Sequence, residues 1–123
     1  MRIPKREVVE FFLKETLQKQ KITSQAKLAE VLNEKLKRGD RDYAVTGKRA
    51  RMIAIETPGV KVLISTKRGR KPKRCPSCSH SLRKVYMRNL RGKKLLVALR
   101  CQRCGYTGSE GKWVPSRYEF ALE

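Results

Sequence analysis

Residues 75–104 read CPSCSHSLRKVYMRNLRGKKLLVALRCQRC and begin and end with a pair of cysteines in CxxC spacing. The first pair is Cys75 and Cys78, the second is Cys101 and Cys104, and 22 residues separate the two pairs. Two CxxC pairs at this separation are typical of a zinc site, because each pair places two thiolates on one side of a tetrahedral ion. Four thiolates leave no open position for a substrate, so the sequence predicts one structural Zn²⁺.

Other roles for the four cysteines fit the sequence less well. Iron also accepts four thiolates, and the spacing alone leaves iron open. Two disulfides would require an oxidising compartment, and the N-terminal residues show no apolar signal-peptide segment. A redox-active CxxC would require a βαβ context that this sequence lacks. His80 is the only histidine, and we expect it at the surface because four thiolates already saturate the metal.

The residues between the cysteine pairs predict a β-hairpin. Residues 82–88 and 93–100 are the expected strands, and Asn89-Leu-Arg-Gly92 is the expected turn. Residues 113–120 supply a third extended segment. Two metal-binding turns that close a three-stranded sheet would form a small β zinc ribbon over residues 75–123. Because so small a core is unstable alone, we expect metal binding to supply much of its folding energy.

A strongly basic segment precedes the first cysteine. Residues 67–74 read KRGRKPKR, with six basic residues in eight. Gly69 and Pro72 disfavour regular structure, so this segment is predicted to be a linker between two domains. It is also a candidate to follow a phosphate backbone or to enter a groove. Its basic residues are Lys67, Arg68, Arg70, Lys71, Lys73 and Arg74.

The chain before this segment, residues 1–66, predicts a helical domain. Apolar residues at helical spacing predict a first helix after Pro4 and a second that is capped by Thr23 or Ser24 and ends near Gly39. A third helix is expected to begin at Thr46.

A strand is expected to follow the third helix. Pro58-Gly59 ends that helix, and the β-branched residues 60–66 are typical of a strand. Residues 43–45 are a candidate for a short partner strand. The predicted fold class is therefore α+β, with a three-helix, winged-helix-like domain before the basic linker and the zinc ribbon after it.

The net charge indicates the class of partner. The chain of 123 residues has 31 Lys and Arg against 11 Asp and Glu, a net charge of +20. The 53 residues between Glu56 and Glu110 contain 15 basic and no acidic side chains. A stretch of one sign this long favours contact with a polyphosphate, DNA or RNA, with an anionic membrane surface as the second candidate. A merely solubilising surface is the simpler alternative.

The three predicted helices, the strand and the basic loop resemble a winged helix-turn-helix. In that fold the third helix enters the major groove and the wing touches the DNA backbone. The resemblance implies that Lys48, Arg49 and Arg51 spread over the outward side of the third helix. Residues 38–45 are longer than the tight turn of a plain helix-turn-helix. A plain three-helix bundle with solvated basic residues remains an alternative.

The second half resembles the zinc ribbons of transcription and translation machinery, on Cys75-Pro-Ser-Cys78 and Cys101-Gln-Arg-Cys104-Gly-Tyr. Ser79 stands where such ribbons usually have glycine after the first knuckle. The chain as a whole resembles an archaeal family that pairs a winged-helix-like N-terminus with a C-terminal zinc ribbon. The full set of candidate nucleic-acid contacts is Lys48, Arg49, Arg51, Lys67, Arg68, Arg70, Lys71, Lys73, Arg74, Arg83, Lys84, Arg88, Arg91, Lys93 and Lys94.

The sequence favours a binding protein over an enzyme. It has one histidine, no GxSxG, no phosphate-binding loop, and its cysteines are assigned to metal. We expect a cytoplasmic protein, associated with the nucleoid or the ribosome, with no small-molecule substrate and no membrane-spanning segment. Three functions remain open: a DNA-binding transcription factor or regulator, an RNA-binding ribosome-associated protein, and an adaptor that docks proteins of either machinery. DNA is slightly favoured over ribosomal RNA by the order of the helices.

Overall fold

The computed structural model describes residues 2–123 and has the predicted α+β class. Three helices precede a five-stranded antiparallel sheet in which the strand order is β1-β5-β4-β3-β2. The elements are α1 (Arg6–Lys19), α2 (Gln25–Gly39), α3 (Gly47–Glu56), β1 (Val60–Arg68), β2 (Arg83–Arg88), β3 (Lys94–Arg100), β4 (Thr107–Ser109) and β5 (Lys112–Leu122).

The chain forms two compact units. The helical unit comprises Met1–Leu63 together with Arg117–Glu123. The metal unit, so named for its four cysteines, is the intervening segment Ile64–Ser116. The last residues of the chain therefore belong with the helices, whereas the sequence had grouped them with the cysteines. The cause is β5, which starts in the metal unit and ends in the helical unit.

The three predicted helices are confirmed, and their caps explain where two of them begin. The hydroxyl of Ser24 accepts a hydrogen bond from the backbone N–H of Lys27, and that of Thr46 accepts one from Arg49. Each hydroxyl satisfies an N–H group that has no partner within its helix, so both side chains fix the first turn.

The helical unit has an apolar core of its own. One face of each helix contributes to it, and Phe120 from β5 is completely buried there. Backbone hydrogen bonds join Ile22, between α1 and α2, to Phe120 in both directions. The buried members of the core are Val9, Leu13, Leu17, Ile22, Leu28, Leu32, Leu36, Val45, Ala50, Ile53, Ala54, Val60 and Phe120.

The expected short strand at residues 43–45 is reduced to a single bridge. Tyr43 pairs in parallel with Arg2 in an isolated bridge. None of the strands found among residues 2–123 contains Tyr43. The side chain of Asn33 bonds to both backbone groups of Val45, donating to its carbonyl oxygen and accepting from its N–H. This helix side chain supplies the partners that a neighbouring strand would otherwise provide.

The predicted hairpin of the metal unit is confirmed. β2 and β3 pair antiparallel, with Arg83 opposite Arg100 and Arg88 opposite Lys94. A bulge lies between Val85 and Tyr86. The short strand β4, which the sequence did not predict, pairs with β3 and with β5. Within residues 2–123, no helix combines the length and apolar character needed to cross a membrane.

Candidate metal centre and basic surface

The four cysteines lie together in two turns of matching geometry. In the first turn, the N–H of Cys75 donates to the carbonyl oxygen of His80, and the N–H of Ser79 donates to that of Cys75. The second turn has the same two bonds: the N–H of Cys101 donates to the carbonyl oxygen of Tyr106, and the N–H of Gly105 donates to that of Cys101. The two turns thereby share the same backbone hydrogen-bond pattern around their CxxC pairs.

A left-handed residue closes each turn. Gly105 has φ of 82° and the equivalent Ser79 has φ of 66°. Glycine adopts this region without steric cost, whereas serine, like other L-residues, is strained there. The absence of the usual glycine from the first turn therefore leaves the turn geometry intact and places local strain at Ser79.

The sulfur positions fit a tetrahedral metal ion. The Sγ atoms of Cys75 and Cys104 are 3.4 Å apart, those of Cys78 and Cys101 are 3.5 Å apart, and all four lie within 4.8 Å of one another. A tetrahedron with metal–sulfur bonds of about 2.3 Å has sulfur–sulfur edges of about 3.8 Å. All four cysteines are buried and form no disulfide. The residues thus form a possible site for one metal ion with four thiolate ligands.

The thiols are polarised by hydrogen bonds to one another. The pKa of Cys75 is lowered to about 5, because the Cys104 thiol donates to its sulfur and the N–H groups of Ser77 and Cys78 also stabilise the thiolate. The pKa of Cys78 is raised to about 11, mainly because burial disfavours its charged form. The pKa of Cys104 is raised because its proton is held by Cys75. A metal cation at the centre would replace these protons.

His80 lies outside the cysteine cluster, as the sequence predicts. Its side chain is exposed, and the guanidinium of Arg103 is 3.0 Å from its Nδ1. Arg103 belongs to the second cysteine turn and His80 follows the first, so this contact joins the two turns. The cluster of possible metal ligands consists of the four cysteines and does not include His80.

Tyr106 has a packing role in the metal unit that the sequence analysis did not predict. Its ring is fully buried and its hydroxyl donates to the carbonyl oxygen of Trp113. The ring leaves no room for a side chain at Gly108, where a Cβ atom would lie 2.5 Å from the tyrosine hydroxyl. The sequence feature that could have indicated this role is the position of Tyr106 two residues after Cys104, which matches the position of His80 after Cys78.

The candidate contact residues of the metal unit all lie at the surface. The twelve from Lys67 to Lys94 are exposed, and the unit contains fifteen Lys and Arg against the single acid Glu110. Three of them, Lys71, Lys73 and Lys84, line a cleft of about 350 Å³ together with Pro72, Leu82 and Leu99. Lys67 and Arg68 lie in β1, so the segment predicted to be a linker starts within a strand.

The candidate residues of α3 are arranged differently from the prediction. Lys48 is exposed, whereas Arg51 is half-buried. Its guanidinium carbon lies 5.0 Å from the ring centroid of Tyr118, and its Nη1 donates to Gln25 at 3.0 Å. Arg49 is half-buried, with Nη1 shielded from solvent. Arg51 therefore has partners within the helical unit that the sequence did not indicate, because β5 brings Tyr118 against α3.

Comparison of the chain with known protein families, with curated proteins and with solved structures finds no match in any of the three. The chemistry of the two units is therefore what indicates the function.

Proposed function

We propose that the protein is a zinc-containing nucleic-acid-binding protein, and that it binds duplex DNA as a transcription factor or regulator. The observation that carries this proposal is the charge of the metal unit, in which all fifteen Lys and Arg side chains are exposed and only one acid is present. Such a surface repels itself in isolation and is stabilised when a polyanion binds. The regularly spaced phosphates of DNA satisfy that requirement.

Zinc is the metal that best fits the four cysteines. A tetrahedral site of four thiolates suits Zn²⁺ or iron, and a closed site of two CxxC turns is the usual structural zinc arrangement. The two turns, the β2–β3 hairpin and β4 support a zinc ribbon. When bound, the ion would supply folding energy to a unit whose apolar core is small.

The helical unit supports a winged-helix assignment through the order of its elements. Helix α1 is followed by the bridging residue Ile22, then by α2, α3 and β1, and the chain returns through β5 to pair Phe120 with Ile22. In a winged helix the segment between the last two strands is the wing. Here that segment is the metal unit, so we propose that the zinc ribbon is inserted at the wing position.

Each unit would contribute a different kind of contact. Phosphate contacts from the exposed Lys and Arg side chains of the metal unit would set the affinity for DNA, with little dependence on the DNA sequence. Lys48 is the exposed candidate on α3, since Arg51 already contacts Tyr118 and Gln25. We therefore expect DNA affinity to depend mainly on phosphates, with limited base selectivity from α3.

RNA is the second candidate, favoured by one feature of β2. Tyr86 is 43% exposed, and the ammonium of Lys94 lies 4.4 Å from its ring centroid. An exposed aromatic ring beside Lys and Arg is the combination on which proteins stack unpaired bases.

The test compares binding of zinc-loaded protein to duplex DNA, single-stranded RNA and ribosomal RNA at one fixed salt concentration. In the test variant, Lys67, Arg68, Arg70, Lys71, Lys73 and Arg74 are replaced by serine. In the matched control, which loses the same charge from the helical unit, Lys5, Lys14, Lys19, Lys37, Arg38 and Arg41 are replaced by serine. All twelve positions are exposed.

The proposal expects tightest binding to duplex DNA, with a much larger loss in the test variant than in the control. Equal losses would mean that net charge alone attracts the nucleic acid. Tighter binding to ribosomal RNA, together with its recovery when the protein is isolated from native cells without nuclease, would replace the DNA proposal by the RNA one. Recovery of proteins alone would favour the adaptor function.

A further inference from the structure

The tip of the β2–β3 hairpin presents an apolar side chain directly to solvent. Leu90 in the turn is fully exposed, at 107% of the reference area. On the strands just behind it, Met87 is 63% exposed and its cross-strand partner Leu95 is 43% exposed. A single exposed leucine is ordinary in proteins, so its surroundings must decide whether this one has a role.

Those surroundings are uniformly basic. Arg88 and Arg91 flank Leu90, Lys93 and Lys94 follow, and all four side chains are exposed. The sequence has no acidic residue from 57 to 109. An apolar protein surface would not tolerate four desolvated cations, whereas a polyanion with an apolar interior accepts both kinds of side chain.

The tip is held in one conformation by hydrogen bonds from Asn89. The Oδ1 of Asn89 accepts from the backbone N–H of Arg91 at 3.0 Å and from that of Lys93 at 2.9 Å. The N–H of Asn89 donates to the carbonyl oxygen of Lys93, and the N–H of Gly92 donates to that of Asn89. Gly92 has φ of 79°, which glycine adopts without strain. The exposure of Leu90 is therefore built into an ordered turn.

An ordered turn reduces the entropy that binding must overcome. DNA-binding proteins that use strands or β-ribbons place them in either the major or the minor groove. Proteins that bend DNA from the minor groove insert apolar side chains between base pairs, while Lys and Arg neutralise nearby phosphates. The hairpin tip combines these elements in one structure: a ribbon, an apolar residue at the apex and four flanking cations.

We propose that the β2–β3 hairpin enters the minor groove of duplex DNA and that Leu90 inserts between neighbouring base pairs and bends the duplex. Arg91 and Lys93 contact the phosphates on either side. This inference rests on the proposed DNA-binding function and adds a structural consequence, since phosphate contacts alone require no unstacking. Base steps that unstack easily, such as TA and CA, would be the preferred insertion points.

The experiment uses full-length zinc-loaded protein and a short duplex labelled at both ends for energy transfer, with 2-aminopurine at a central TA step. Binding of the unchanged protein should bend the duplex by about 20–90° and increase the 2-aminopurine fluorescence. Leu90→Ser should abolish both signals while affinity falls by less than about tenfold, because phosphate contacts dominate affinity. Leu90→Phe should preserve both, since phenylalanine also inserts between base pairs. Leu63→Ser, at another exposed leucine, serves as the matched control and should bend DNA normally.

The outcomes separate the two proposals. Binding of the unchanged protein without bending, or equal bending by Leu90→Ser, would overturn the insertion proposal and leave DNA binding intact. Failure of the unchanged protein to bind duplex DNA would overturn both. A third outcome is that the protein does not bend DNA but binds an acidic protein through the hairpin, with an affinity that depends on Leu90. That outcome would overturn the insertion proposal and assign the tip to protein docking.

Discussion

Ile22 and Phe120 exchange two backbone hydrogen bonds, although they lie near opposite ends of the chain. The N–H of Ile22 donates to the carbonyl oxygen of Phe120 at 3.0 Å, and the reverse bond is 2.7 Å long. Both side chains are buried in the core of the helical unit. The C-terminal residues are thus part of the helical core, and the metal unit is the segment between Leu63 in β1 and Arg117 in β5.

The first prediction follows from the burial of Phe120. Phe120→Ala should destabilise the helical unit by about 3–5 kcal/mol, because it leaves a cavity in a packed core. The free energy of unfolding is measured by urea denaturation, followed through the helical circular dichroism signal. Leu122→Ala, at a more exposed position of the same strand, is the control and should change stability by no more than about 0.5 kcal/mol. A comparable effect of the two substitutions would show that the C-terminal segment does not complete this core.

The second prediction concerns the strain at Ser79. Ser79→Gly should stabilise the metal-loaded protein by about 0.5–1 kcal/mol, because the gain from relieving a left-handed serine exceeds the added entropy of the unfolded chain. The denaturant concentration at which metal is released to a chromophoric chelator reports this change. The reciprocal substitution Gly105→Ser should lower the midpoint. If Ser79→Gly also lowers it, the serine side chain contributes a favourable interaction that outweighs its strain.

The third prediction tests the metal centre. Cys101→Ser should reduce the bound metal well below one equivalent per chain, because three thiolates bind zinc far less tightly than four. Metal content is measured by elemental analysis after dialysis, and a colourless preparation would distinguish zinc from iron. The helical signal should survive, since no cysteine belongs to the core of the helical unit. His80→Ala is the matched control and should retain the full metal content, because His80 lies outside the cysteine cluster. Loss of metal from the His80 variant would contradict the four-cysteine assignment.

Local signals in the sequence were sufficient for much of this structure. Hydroxyl residues indicated two helix starts, at Thr23 or Ser24 and at Thr46, and the structure has Ser24 and Thr46 as the caps. The CxxC spacing indicated that the four cysteines form one cluster. The sequence did not show which unit would receive the last strand, because β-branched and aromatic residues in β5 predict a strand without naming its partners. The contact between Arg51 and Tyr118 depends on that return of the chain, so the sequence did not indicate it either.

The fourth prediction separates the two roles of basic residues on α3. Arg51→Ala should destabilise the helical unit by about 1 kcal/mol, because the substitution removes both the stacking on Tyr118 and the hydrogen bond to Gln25. Lys48→Ala should leave stability unchanged and weaken DNA binding, since Lys48 is exposed. Thermal unfolding and DNA affinity are measured for both variants. A loss of DNA affinity without any loss of stability in Arg51→Ala would show that Arg51 leaves Tyr118 to contact DNA.

The most direct test of the central claim is the salt dependence of duplex DNA affinity for the zinc-loaded protein. If the exposed Lys and Arg side chains of the metal unit neutralise about six to eight phosphates, the logarithm of the association constant should fall with the logarithm of salt concentration at a slope of about −5 to −7. Replacing the six Lys and Arg residues of 67–74 by serine should make that slope markedly shallower. A slope shallower than about −2 in the unchanged protein would contradict the account, because so few released counterions cannot come from a surface that binds the DNA backbone.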